Sequence, residues 1–111
     1  MESILKSIKT MIPVEEDCAE FDDVIIIHIN SALMRLNQLG VGPTSGFRIT
    51  GATETWNDFL GGRKDLEAVK DYVYLRVKLK FDPPQNSFMV SEMQKAIEEL
   101  DWTLNHQAEM E

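Results

Sequence analysis

Cysteine is nearly absent: Cys18 stands alone in 111 residues. No disulfide can form within the chain, which fits a reducing compartment. No apolar run approaches the roughly 20 residues of a membrane-spanning helix. The opening Met1-Glu2-Ser3-Ile4-Leu5-Lys6 lacks the basic start and long apolar stretch of a secretion signal. These absences predict a protein made and kept in cytoplasm, with no membrane contact. Excess positive charge is also missing. The net charge is -8, which argues against general nucleic-acid binding, because phosphate contacts need clustered Lys and Arg.

Catalytic and metal-binding patterns are equally scarce. His28 and His106 are the only histidines, and neither sits in a spacing such as H-E-x-x-H. His28 falls on the polar face of its expected helix and reads as a solvated side chain. Cys18 with a distant histidine is a conceivable nucleophile pair. Its neighbours Glu15, Glu16, Asp17 and Glu20 disfavour the thiolate that such a pair requires. Gly40-Val41-Gly42-Pro43-Thr44-Ser45-Gly46 superficially resembles a phosphate-binding loop. A helix precedes it, however, and no Gly-Lys-Ser/Thr follows. The acidic run from Glu15 lacks the alternating oxygen ligands and central glycine of a calcium loop. The chain reads as no enzyme, with no cofactor and no metal.

What is present is the pattern of a small helical domain. Hydrophobic residues make up 43% of the chain and charged residues 27%, an ordinary globular balance. Residues 1–111 suit one domain with one core. Ile4, Leu5, Ile8, Met11 and Ile12 fall at helical spacing within 2–12, and Pro13 ends that helix. Residues 21–39 form the clearest helix. Ile25, Ile29, Ala32, Leu33, Leu36 and Leu39 share a face, and His28, Ser31, Arg35 and Gln38 share the opposite one. Asp22 or Asp23 is the expected cap, and Gly40 the left-handed stop. Residues 65–82 alternate apolar and polar from Val73 to Phe81, as a strand would. No second alternating run exists to pair with, so the segment is assigned as helix. Asp82-Pro83-Pro84 is a firm stop. Asn86 or Ser87 caps a last helix to about His106, with Met89, Met93, Ala96, Ile97, Leu100 and Leu104 inward and Glu92, Lys95, Glu99 and Asp101 outside that stripe. The expected fold class is all-α: a bundle of about four helices with a long glycine-rich loop between the second and third main helices.

All six glycines lie between Gly40 and Gly62. This stretch also holds Pro43, Phe47, Trp56 and Phe59, and Thr53 is the expected cap of a short helix over 54–60. Such a long glycine-rich segment in a small domain points to function or mobility. Trp56 and Phe59 either anchor the loop on the core or form a subunit contact, since buried aromatics dominate interface energies. Charge is uneven as well. Glu15 to Asp23 holds six acids and no base, Arg63 to Lys80 six bases and three acids, and Glu92 to Glu111 six acids and one base. These are either solvated faces or surfaces that meet another subunit.

Four segments in order carry a family resemblance. They are Leu36-Asn37-Gln38-Leu39-Gly40-Val41-Gly42-Pro43, then Trp56-Asn57-Asp58-Phe59-Leu60-Gly61. The run from Asp65 through Tyr72 and Tyr74 to Phe81-Asp82-Pro83-Pro84 follows, and Ile97-Glu98-Glu99-Leu100-Asp101-Trp102-Thr103-Leu104-Asn105 closes the set. Together they resemble the small head–tail connector, or head-completion, proteins of tailed bacteriophages, over nearly the whole chain. The resemblance implies an α-helical subunit that assembles with copies of itself as a ring beneath the portal protein. The ring would extend the DNA channel, without reading DNA sequence, and dock the next neck or tail completion protein. The protein would reside in the virion neck, after assembly in the host cytoplasm. A closed ring needs two different complementary surfaces. Glu15, Glu16 and Asp17 are therefore expected to face Lys78 and Lys80 of a neighbour, with Trp56 and Phe59 as further contacts. A reading from another class is a small helical DNA-binding regulator, which needs an exposed basic helix; residues 70–80 are the only candidate.

Overall fold

A computed structural model of the chain describes residues 3–12, 20–43, 45–61 and 66–109. Helix α1 (Ile4–Met11) starts where the Ser3 hydroxyl accepts the Lys6 N–H at 3.3 Å. Its apolar spacing puts Ile4, Leu5 and Ile8 into the core. Helix α2 (Asp22–Gln38) buries Ile25, Ile29, Ala32, Leu33 and Leu36, the face expected from the sequence. Its start differs from expectation. Phe21 occupies the cap position and no side chain caps the helix. Asp22 lies one residue too late to cap and is engaged elsewhere: its carboxylate meets the buried Lys9 ammonium of α1 at 2.8 Å. Asp22 and Asp23 still place negative charge in the first turn, where the helix dipole favours it.

The end of α2 follows the glycine rule in detail. Gly40 has φ +91°. Its N–H donates to Asn37 O at 3.0 Å, and the Val41 N–H donates to Leu36 O at 2.9 Å. This is the paired Schellman closure, which only a residue free to take positive φ can make. Asn105 of the last helix donates to Leu39 O at 3.2 Å and satisfies another terminal carbonyl.

The segment after α2 is fastened by side chains. Asn30 donates to Ile49 O at 3.0 Å and accepts the Ile49 N–H at 2.7 Å. Asn37, two turns further along the same face of α2, donates to Pro43 O at 2.7 Å. The Glu54 carboxylate gathers the Thr50 N–H, the Thr50 hydroxyl and the Gly51 N–H. Helix α3 (Trp56–Leu60) has a reciprocal capping box between Thr55 and Asp58. The cap is therefore Thr55 rather than Thr53. Glu54 stays outside the helix because its carbonyl accepts the Ile4 N–H at 3.1 Å, beside a single bridge between Ser3 and Thr55.

Helix α4 (Leu66–Phe81) settles the ambiguous segment as helix. It packs against α1, α2 and the last helix, α5 (Ser87–Glu109). Val69, Tyr72, Val73 and Val77 are buried between these neighbours. An alternating apolar run suits a helix that is covered on several sides. Asn86 caps α5 by accepting from Phe88 N–H at 2.8 Å and Met89 N–H at 3.3 Å. Ile97 and Leu104 are the buried anchors of α5, whereas Met89 is half exposed. Among the described residues, five helices form a slab of 38 × 35 × 19 Å.

Candidate functional site

Two clefts flank α2. The first, of about 540 Å³, opens between α2 and α5 over a floor of α4. His28 and Ser31 form one wall, Glu98 and Asp101 the other, and Arg76 and Lys80 line the floor. His28 is thus partly buried rather than fully solvated, on the wall of this cleft with Lys80 of α4 as its charged neighbour. Burial, and then the Lys80 ammonium, hold its imidazole below the ordinary pKa. Asp101, placed outside the inner stripe by sequence, is also half-buried and lies 3.8 Å from the Arg35 guanidinium. Beneath the cleft, Arg76 donates to the Tyr72 hydroxyl at 3.2 Å and sits 5.5 Å from its ring centre. Burial and the Asp101 carboxylate push the Tyr72 hydroxyl up to about 12, against the opposing pull of Arg76. This charge cluster ties α2, α4 and α5 together. Among the described residues, no hydrogen bond joins Ser31 to His28, and no three metal-ligating side chains are grouped to hold an ion.

The second cleft, of about 560 Å³, meets the first at Ser31 and runs between α2 and the loop that follows it. Ile27 and Met34 form its α2 side, and Gly46, Phe47 and Arg48 of the loop form the other. Ile27 is 62% exposed and Met34 63%. Together with Val24 they make a second apolar stripe on α2, separate from the core face. The side chains that hold the loop here, Asn30 and Asn37, also line this cleft. Phe47 packs on Phe59 with ring centres 5.3 Å apart, so the cleft wall is backed by the core. A third unpartnered feature is Trp102 on α5, which is 70% exposed. It stacks flat on His106, with 6° between the rings and 5.1 Å between centres.

The residues expected at a subunit contact are dispersed. Trp56 and Phe59 are each 2% exposed, inside the subunit's own core. Lys78 pairs with Asp82, just past the end of its helix, at 2.8 Å. Lys80 is exposed at the edge of the first cleft. Glu15, Glu16 and Asp17 lie outside the described residues. The end of the acidic run meets the end of the basic run within one chain, where Phe21 packs edge-on against Phe81 at 5.5 Å. Ile27, Met34, Arg48 and Trp102 did not stand out in the sequence reading. The signal was available: Val24, Ile27 and Met34 keep helical spacing on a face the core does not use, and Trp102 lies off the inner stripe of α5.

A family model described as phage connector protein matches residues 4–111. The chain belongs to the phage connector protein family. No curated protein and no solved structure matches it. The match covers every helix, so the clefts and exposed aromatics described above are features of a connector subunit. Among the described residues, no helix of this connector is long and apolar enough to cross a membrane. Helix α4, which holds the only candidate basic face for a DNA regulator, is the central helix of the connector, packed by α1, α2 and α5. Lys70 and Lys78 on it are already engaged within the chain. This placement, with the family match, does not favour the regulator reading.

Proposed function

We propose that this connector is a structural subunit of the phage neck, which assembles with copies of itself into a ring between the portal protein and the tail. The ring prolongs the DNA channel and offers its lower face to the next neck or tail component. The observation that carries this reading is the family match across nearly the whole chain. The structure supports it through surfaces that one subunit leaves uncovered. Ile27 and Met34 on α2 and Trp102 on α5 are large exposed apolar side chains, suited to contact with neighbours. Of the charged residues expected to steer such contacts, Lys80 remains exposed, and Glu15, Glu16 and Asp17 are its proposed complement. DNA would pass without sequence-specific binding, consistent with a net charge of -8.

Electron microscopy of the purified chain, alone and mixed with its portal protein, tests the reading. Rings of the chain, or a layer of added density beneath the portal, are the expected outcome. Absence of both at high protein concentration would remove it.

A further inference from the structure

We propose that copies of this connector join head to tail by seating Trp102 of one copy in the cleft between α2 and the loop at 45–48 of the next. The proposal rests on the ring reading and names its contact. A head-to-tail interface needs two different surfaces on one chain that complement each other. Trp102 and this cleft meet that need in position, shape and charge.

Position comes first. Asp101, beside Trp102 in sequence, meets Arg35 on one flank of α2. Asn30 and Asn37 hold the loop on the opposite flank of the same helix. The tryptophan and the cleft therefore lie on different helices, with the first cleft between them. That separation prevents a chain from filling its own cleft and lets each copy give to one neighbour and receive from another.

Shape comes second. The Trp102 indole is held by its stack on His106 and therefore loses little freedom on docking. The cleft offers the flanks of Ile27, Met34 and Phe47. Met34 adjusts readily to an aromatic ring, because its thioether chain is flexible and polarizable. Tryptophan is also among the residues that most often dominate interface energies when they fill a pocket.

Charge comes third. Trp102 shares its surface patch with Glu98, Glu99 and Lys95, two acids against one base. The cleft carries Arg48, which is exposed and makes no ion pair with any described residue. A tryptophan patch with a net excess of acid and an apolar cleft carrying Arg48 attract each other.

Two variants of the full chain test this contact by sedimentation velocity over a concentration series. Trp102→Ala removes the inserted side chain. Ile27→Asp with Met34→Asp spoils the cleft. All three positions are exposed, so both proteins should fold, as circular dichroism would verify. Wild type is expected to associate beyond two copies. Each variant alone should associate at least about 30-fold more weakly, the loss of a strong interface residue. An equimolar mixture of the two variants retains one good tryptophan and one good cleft. It should give two-chain complexes and nothing larger. If either variant associates as wild type does, this contact is wrong while the ring reading stands on some other surface. If the variants assemble normally but lose binding to the portal, the cleft receives the portal instead, and the proposal falls. If wild type stays monomeric at every concentration, the proposal also falls; the ring reading then depends on whether density appears beneath the portal.

Discussion

Gly42 and Gly46 form a natural pair for separating backbone strain from crowding. Their φ angles are nearly equal, +90° and +93°. Any side chain added at either position meets the same left-handed penalty, about 1–2 kcal/mol. Replacement by alanine also stiffens the unfolded chain, which returns about 0.4–1 kcal/mol. Gly46→Ala should therefore cost roughly 1 kcal/mol, since nothing lies within 4 Å of its added carbon. Gly42→Ala places that carbon 2.4 Å from Phe59 Cε1 and 2.8 Å from Cζ. Carbon atoms prefer about 3.5–4.0 Å, so the ring must retreat by ~1 Å. Phe59 is buried and rests on Phe47, which leaves it little room. Overpacking of this kind costs about 1–3 kcal/mol more. Urea unfolding followed by circular dichroism measures both variants. With a slope of roughly 1–1.5 kcal/mol per molar, Gly42→Ala should unfold about 1–2 M earlier than Gly46→Ala. A second check is Phe59→Leu in the Gly42→Ala background. The double variant should be more stable than the sum of the single losses implies, by about 1 kcal/mol, because the smaller residue admits the methyl group. Equal midpoints for the two alanine variants would refute the steric argument and leave strain as the whole effect.

Asn30→Ala should cost about 2–3 kcal/mol in the same unfolding assay, because it strands both the N–H and the carbonyl of the fully buried Ile49. A loss under about 1 kcal/mol would mean that the loop does not depend on this double bond. Alkaline pH should weaken the fold through Tyr72. Its folded pKa of about 12 lies above the value of 10.0 it would have unfolded, so the folded state holds the proton more tightly. The resulting stability is full below pH 10.0 and is lost as pH rises toward about 12. Unfolding free energies measured across that window should fall on the order of 2 kcal/mol more steeply for wild type than for Tyr72→Phe, and parallel curves would contradict the linkage.

Helix identity was legible wherever periodicity and punctuation agreed. The core face of α2 and the stop at Gly40 follow from apolar spacing and from the one residue type that closes a helix at positive φ. Residues 66–81 were harder, since Val73 to Phe81 alternates as a strand does. The absence of any pairing partner decided it, and packing by three other helices explains why so many faces of α4 are apolar. The caps of α2 and α3 were misplaced for tertiary reasons. Asp22 is drawn to Lys9, and Glu54 is held outside α3 by the start of α1. The surfaces of interest were the least legible. Trp56 and Phe59 drew notice as aromatics in a loop, yet a loop pinned by Asn30, Asn37 and Glu54 carries them inward. Trp102 lay inside a clearly periodic helix, where only its position off the inner stripe marked it as exposed.

The bond from Asn105 to Leu39 O spans 66 residues and joins α5 to the end of α2. It has a consequence for the chain as it leaves the ribosome. When α1, α2 and α4 have emerged, the side of that assembly against which Ile97 and Leu104 will pack is still bare. The 23 residues of α5 follow. At about 5–20 residues per second, their synthesis takes roughly 1–5 s. Throughout that interval the nascent connector offers apolar surface beside an unsatisfied helix terminus, which are features that chaperones and other nascent copies bind. Closure by α5 ends that exposure only when this helix has cleared the exit tunnel, so the core of the subunit stays open until then.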